Sequence, residues 1–439
     1  MSNKIIIRKK IKSFNRSITV NGDKSLSIRW VLLASLANGI SKATNLLESE
    51  DVFAAINAVK KLGIVVKKKK KTYVIYGKGI NGYNYKKGIT INAENSGTVG
   101  RLILGLLINT PNKIKLIGDQ SLSRRDFKRV GDPLKKFGAS IHLKKKKFLP
   151  LTIVGSNKLK PIKYHEKRGS AQCKSSIIFA ALRTEGTTYI KAKKSRNHTE
   201  LLCKYLKLPI KLIKHKKYDL IEVKKTNNIK TINYKIPSDI SSSAFFLVLT
   251  ALTDNSKLIV RNININPSRI GIISILKLMG VNIKFKNTRM YKGERISDIL
   301  IKSTKNLKSI NCPTNLNSGA IDEFLVIFLL AAKAKGISTF NDLSELNQKE
   351  SPRLKWGSKI LNLMGIRTFL TNNSIKIFGN PNIKINKKII INNYLKDHRV
   401  FMTSVIAALT FGGHWEIHDK DSIKTSFPSF LKLISQLKK

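Results

Sequence analysis

The sequence predicts an α/β protein of two domains with three repeats in each. Two observations lead there: six segments spaced roughly 70 to 80 residues apart share one layout, and a second helix ending in a glycine-type stop recurs between them. Each segment has a polar opening, an apolar helical run, a small-residue or glycine break, and a strand. They begin near KSLSIRWVLLASLANG, NSGTVGRLILGLL, SAQCKSSIIFAALRTEG, SSSAFFLVLTAL, IDEFLVIFLLAAKAKG and DHRVFMTSVIAALTFGG.

The second helices read AVKKLGIVV, PLKKFGASI, LKLMGVNI and LNLMGIRT. Glycine past the last turn is the expected left-handed cap, and the β-branched residues after it open a strand. KYLKLPIKL replaces that glycine with leucine and proline, and FPSFLKLISQLKK supplies a sixth helix. Every repeat thus runs helix, strand, helix, strand, strand, and neither helix can bury its apolar face without neighbours. Six repeats suggest two globules of three, with a joint where IPSD interrupts the pattern near Ser238. We expect one domain of residues 1–21 plus 239–439 and another of residues 22–238. A leading strand from Ile5 to Val20 could pair with either half. Two crossings at one hinge favour a cleft that opens and closes.

Composition bounds the function. The 439 residues are 42% hydrophobic, too apolar for a chain disordered throughout, and the 26 Gly and 11 Pro are ordinary usage. Three cysteines without metal-ligand spacing imply a reducing compartment and no zinc site. No secretory leader or spanning segment is evident, so a cytoplasmic, unanchored protein is expected. The charge is unusual: 83 Lys plus Arg against 26 Asp plus Glu, a formal +57. Richness in Lys, Ile and Asn fits a surface shaped by nucleotide bias, with runs such as Lys67–Lys71 and Lys144–Lys147 near hairpin ends. The other reading is a selected polyanion-binding surface, although no nucleic-acid reader motif accompanies it.

The repeats differ most at their helix starts. The first carries Lys24, Ser25 and Arg29, the second Asn95, Ser96, Gly97, Thr98 and Arg101, the third Ser170, Gln172 and Lys174. The later ones carry Asp239, Ser241 and Ser242, then Asp322 and Glu323, then Asp397, His398 and Arg399. Helix N-termini present unsatisfied N–H groups and a positive dipole end, so several converging on a cleft make an anion site. Ser, Asp and Asn there read as caps, Asp239, Ser241 and Ser242 among them, and Asp322 with Glu323 as a cap and first-turn pair or as functional acids. Capping does not explain cations: Lys24 with Arg29, Arg399, and Lys349 with Arg353 in QKESPR oppose the dipole and call for an anion. Glu350 is held ionised between Lys349 and Arg353 unless desolvated, and His398 is structural or functional.

GDKSLSIR, NSGTVGR, SLSRRDFKR, SAQCKSS, IDEF, QKESPR, DHR and KTSFP stand in the order and spacing of the enolpyruvyl transferases. Within that family the chain, from about Ser17 to Leu431, resembles the 3-phosphoshikimate 1-carboxyvinyltransferases, or EPSP synthases. The sister enzymes acting on a UDP-sugar carry Asn where this chain has Ser25, and a loop cysteine absent around Arg125.

The resemblance implies two inverse α/β domains of three βαβαββ units each, with both substrates in the interdomain cleft. It implies transfer of the enolpyruvyl group of phosphoenolpyruvate to the 5-hydroxyl of shikimate 3-phosphate without metal or other cofactor, and a two-domain enzyme that closes on itself has no need of a partner, so a monomer is expected. Nucleic acid would bind at most nonspecifically. Lys24, Ser25, Arg29, Ser170, Gln172, Ser195, Asp322 and Lys349 are implied to contact shikimate 3-phosphate. Lys24, Gly97, Arg125, Gln172, Arg353, Arg399 and Lys424 are implied to contact phosphoenolpyruvate. The reaction needs one acid and one base: Asp322 is expected as base, Glu350 as acid, with Lys24 and Lys424 stabilising phosphate and His398 orienting Glu350.

The chain departs from the family pattern at Asn21, Trp30, Asp126 and Pro352. Asp126 follows Arg125 where proline is usual and is expected to weaken phosphoenolpyruvate binding. Pro352 removes a carboxylate beside Arg353.

Overall fold

The six polar openings lead into helices Lys24–Ser35, Gly97–Leu106, Ala171–Ala181, Ile240–Leu252, Phe324–Lys333 and His398–Phe411 in the computed structural model, which describes residues 3–438. These are the innermost elements. All 13 residues of Ile240–Leu252 and all 14 of His398–Phe411 are buried, as helices with apolar residues on every side demand. The second helices follow at Glu50–Lys61, Lys128–Lys136, His198–Tyr205, Gly271–Leu278, Arg353–Met364 and Phe430–Lys438. Glycine stops at Gly63, Gly138, Gly280 and Gly365 have φ of 85°, 113°, 86° and 90°, a region that a Cβ disfavours.

The chain divides into two units. The unit of Gly22–Ile236 with Tyr291–Glu294 has three four-stranded sheets. In each, a parallel pair is extended by an antiparallel hairpin: Thr90–Asn92 pairs with Ile114–Ile117, which meets Phe148–Val154 and then Ser140–Lys144. With its two longer helices, this repeat is the expected βαβαββ unit. Lys67–Lys71 and Lys144–Lys147 run from the ends of strands Val65–Lys69 and Ser140–Lys144 into the hairpin turns at residues 70–71 and 145–147. Trp30 is wholly buried and donates from Nε1 to the Ile232 carbonyl at 2.8 Å, so the bulky residue is accommodated.

The other unit holds Met1–Asn21, Pro237–Met290 and Arg295–Lys439. The expected leading strand is two strands here. Lys4–Ile7 pairs antiparallel with His414–His418, and Asn15–Ile18 pairs parallel with Lys257–Asn264. Between them the Ile11 amide turns to the Leu409 carbonyl, 2.9 Å, and Ile11 and Phe14 enter the core, which ends the first ladder. Lys388–Ile391 lies parallel to His414–His418, so the N-terminal strand completes the last sheet. Phe245 and Phe246 pack on Phe430 with ring centroids 5.8 and 5.9 Å apart, fixing the terminal helix on the innermost ones. Burial of each such ring is worth roughly 1.5–3 kcal/mol.

Two boundaries differ from the expectation. The joint falls between Ile236 and Pro237: the Ile236 amide bonds to Thr44 O at 3.0 Å, whereas the Ser238 amide bonds to Asn262 O at 2.9 Å. Tyr291–Glu294, expected with residues 239–439, packs instead with Gly22–Ile236, so the chain passes between units more than twice. Tyr291 stacks on Tyr234 at 5.6 Å and its hydroxyl accepts from the Lys235 amide at 3.0 Å. Glu294 meets His198 Nδ1 at 2.7 Å, and Gly293, φ 83°, lies where a Cβ would be 2.8 Å from Leu201 O.

Candidate active site

The helix starts of the Gly22–Ile236 unit assemble two adjoining groups. In the first, Asp23 caps Lys24–Ser35 through the Leu26 amide, 2.8 Å, and Lys24 Nζ pairs with Asp51 Oδ2 at 2.8 Å. Arg29 is buried: Nε donates to Thr199 Oγ1 at 2.7 Å, Nη2 to Ser175 Oγ at 3.0 Å, and Nη1 to Ser25 O at 3.0 Å. Three neutral oxygens therefore aim this guanidinium. Ser195 Oγ, four residues before Thr199, is buried without a hydrogen-bond partner among the described residues.

Ser170 caps Ala171–Ala181 by accepting from the Cys173 amide at 3.2 Å, and the same helix start carries Gln172 into the second group. Gln172 Nε2 donates to Thr98 Oγ1 at 3.0 Å, and its Oε1 accepts from Arg101 Nη1 at 2.5 Å. Arg125 Nη2 donates to Asn95 Oδ1 at 2.9 Å and Ser121 Oγ at 3.3 Å. A Cβ at Gly97 would stand 2.9 Å from Arg101 Nη1 and 3.2 Å from Arg125 Nη1, so both guanidinium groups border this glycine at the N-terminus of its helix. Burial, and then the like charges of Arg129 and Arg125, bring Arg101 down to about 9.

In the other unit Arg353 organises the acids. Its Nε and Nη2 grip Asp397 at 2.8 and 3.2 Å, Nη2 also donates to Glu350, and Nη1 lies 3.4 Å from Asp322 Oδ1. Burial opposes its charge, but Asp397 and Glu350 outweigh burial and raise its pKa above the ordinary arginine value. Lys349 Nζ is 3.2 Å from Asp322 Oδ1, and Arg399 Nη1 donates to Asp322 O at 2.6 Å. His398 Nδ1 meets Thr425 Oγ1 at 3.1 Å, beside exposed Lys424, whose Nζ pairs with Asp421 at 2.9 Å. Asp322, Lys349, Glu350, Arg353, His398, Arg399 and Lys424 are thus linked directly or through sequence neighbours.

Some readings need correction. Asp322 and Glu323 do not cap: Phe324–Lys333 starts after them with no side-chain cap. Glu323, buried, accepts from Ser241 Oγ and lies 3.9 Å from Arg399 Nη1. Asp239 does cap, through the Ser241 amide at 2.7 Å, but the Ser241 hydroxyl serves Arg269 at 2.6 Å as well as Glu323. Pro352 stands at the N-cap of Arg353–Met364 and leaves Arg353 with three carboxylates around it. Thr199, Ser175 and Asp51 had no signal beyond being ordinary helix residues, and Arg101 was visible in NSGTVGR without a role.

Cys173 is held as structure. Burial, with Glu166 next, pushes its thiol up to about 12, and Sγ donates to Arg129 O at 3.0 Å. Among the described residues no group of three His, Cys, Asp or Glu could hold a metal ion, and no helix is long and apolar enough to cross a membrane.

The family model described as EPSP synthase (3-phosphoshikimate 1-carboxyvinyltransferase) matches residues 8–434. A 3-phosphoshikimate 1-carboxyvinyltransferase of Ruthia magnifica is 39% identical over 431 residues, covering 98% of this chain and 97% of the relative. One of Caldicellulosiruptor bescii is 38% identical, covering 99% and 98%. Among solved structures, EPSP synthase from Acinetobacter baumannii superposes with a TM-score of 0.87 at 33% identity, covering 99% of this chain and 98% of that one. A full-length family match and relatives well above 30% identity lead to one conclusion: the chain belongs to the EPSP synthase family.

Proposed function

We infer that this chain transfers the enolpyruvyl group of phosphoenolpyruvate to the 5-hydroxyl of shikimate 3-phosphate, releasing phosphate, and that the residues above carry the reaction. Family membership supports the activity. The observation that carries the residue roles is that Asp322 and Glu350, our base and acid, share the Arg353 guanidinium.

In this reading Arg29, Ser25, Ser170, Ser195, Lys349 and Asp322 take shikimate 3-phosphate. Gly97, Arg125, Arg353, Arg399 and Lys424 take phosphoenolpyruvate, and Lys24 and Gln172 serve both. Arginines suit the planar carboxylate and the phosphate through paired donors. Asp322 accepts the 5-hydroxyl proton as that oxygen attacks the central carbon, while Glu350 protonates the methylene. Glu350 then removes a proton from the methyl group as the carbon–oxygen bond to phosphate breaks, which restores Glu350, and the departing phosphate carries off the proton held by Asp322, which restores Asp322. At rest Arg353 donates to Glu350. The incoming carboxylate competes with Glu350 for that guanidinium. Lys24 and Lys424 neutralise the departing phosphate, and His398 orients Glu350.

No cofactor enters this reaction scheme. We propose a cytoplasmic monomer, which size-exclusion chromatography with light scattering would test for oligomeric state. A polyanion-binding protein on the same fold with weakened catalysis has no support among the relatives. Mass spectrometry of the product tests the reading: shikimate 3-phosphate should gain one enolpyruvyl group, and an unchanged acceptor contradicts it.

A further inference from the structure

Asp126 stands inside a cluster of arginines. Its Oδ1 accepts from the Arg129 amide at 3.3 Å, its Oδ2 lies 3.5 Å from Arg168 Nη1, and its carbonyl accepts from Arg101 Nη2 at 3.4 Å. Arg101 lies over the Phe127 ring at 5.1 Å and joins Arg125 at Gly97. Arg101 Nε is buried without a hydrogen-bond partner among the described residues. Like charges are thus gathered around Asp126, and burial first, then Arg129 and Arg125, depress Arg101, which Asp126 partly offsets.

We propose that Asp126 is an internal counter-anion that lowers the affinity of this arginine cluster for its anionic substrate. The inference rests on the reading that Arg125 and Gln172 take phosphoenolpyruvate. An anion entering beside Gly97 meets cations already partly neutralised by Asp126, so part of their field is spent before the substrate arrives. Asp126 touches none of the reacting atoms in this account. It acts through Arg101, Arg129 and Arg168.

Asp126→Asn tests this, because the amide oxygen still accepts from the Arg129 N–H while the charge is gone. KM for phosphoenolpyruvate should fall about three- to tenfold, and inorganic phosphate should inhibit more strongly by a similar factor. KM for shikimate 3-phosphate and kcat should hold. Asp126→Glu, which restores the charge, should return KM toward the parent value. Glu185→Gln, the same charge change at an exposed residue of this unit paired with Lys225, should not move it. An unchanged or raised KM in Asp126→Asn overturns the proposal, as does an equal fall in Glu185→Gln. Asp126→Ser is a second neutral capping variant should the amide variant fail to fold. If the parent protein itself releases no phosphate from the two substrates, the functional reading fails. Calorimetry with inorganic phosphate then decides on Asp126 alone: tighter binding in Asp126→Asn sustains the counter-anion, and equal or weaker binding removes it.

Discussion

Arg353 and Asp397 form a two-pronged ion pair, Nε to Oδ2 at 2.8 Å and Nη2 to Oδ1 at 3.2 Å, with both side chains almost fully withdrawn from solvent. Ser351 Oγ also donates to Oδ2, at 2.8 Å, so the carboxylate is well satisfied. A charge pair buried in this way is strongly destabilising to break, because the survivor stays desolvated. Asp397→Asn should therefore cost on the order of 3 kcal/mol in urea unfolding at neutral pH, moderated by Glu350 and Asp322. Burial works to raise the Asp397 pKa, yet Arg353 outweighs it and holds the group below its ordinary value. A depressed folded pKa means the stabilisation is complete above the unfolded value, about 4, and is lost as pH falls through the lower folded one. The stability gap between parent and variant should accordingly be full at pH 7 and shrink below about pH 4.

Gly97→Ala tests the phosphoenolpyruvate end. The added methyl would meet Arg101 Nη1 at 2.9 Å and Arg125 Nη1 at 3.2 Å, both movable side-chain ends, so the fold should survive while the guanidinium groups shift. Steady-state kinetics should show KM for phosphoenolpyruvate rising roughly ten- to hundredfold, with a much smaller change for shikimate 3-phosphate.

Lys174 and Glu200 lie 2.7 Å apart with no exposed side-chain surface. Removing either charge alone, by Lys174→Met or Glu200→Gln, should cost about 3–5 kcal/mol, and removing both should cost less than the sum. Denaturant unfolding of the two single variants and the double variant measures this. Glu200 follows Thr199, which holds Arg29 Nε, so Glu200→Gln should also raise KM for shikimate 3-phosphate.

The thiols should be silent in the native protein. Cys173, Cys203 and Cys312 are all buried, and burial pushes Cys173 up to about 12 and Cys312 to about 11. Cys203 is raised by burial too. A thiol reagent at pH 8 should label none of the three until denaturant is added, and Cys173→Ser should keep its activity. Rapid native labelling with loss of turnover would contradict this.

The repeat was legible because a unit advertises itself twice, by the polar opening of its first helix and by a glycine after its second, such as Gly63 or Gly365, that only a left-handed stop requires. The cations of the site were legible for the opposite reason, since Lys24 and Arg353 stand where a helix dipole disfavours them. What escaped notice depends on contacts between distant repeats. Thr199 and Ser175 look like any helix residues until Arg29 reaches them across 170 and 146 positions. Tyr291–Glu294 lies at the turn between strands Ile283–Tyr291 and Glu294–Lys302, and its docking is set by Tyr234 and His198, which no local pattern reveals. Glu323 resembled a cap because sequence spacing shows which residues start a helix but not where a long carboxylate turns.

The most direct measurement is phosphate release from phosphoenolpyruvate by the purified protein, with and without shikimate 3-phosphate, beside Asp322→Ala. Release that needs both substrates and disappears in Asp322→Ala, with the variant still folded, is the result the account predicts. Release without shikimate 3-phosphate, or undiminished in Asp322→Ala, would contradict it.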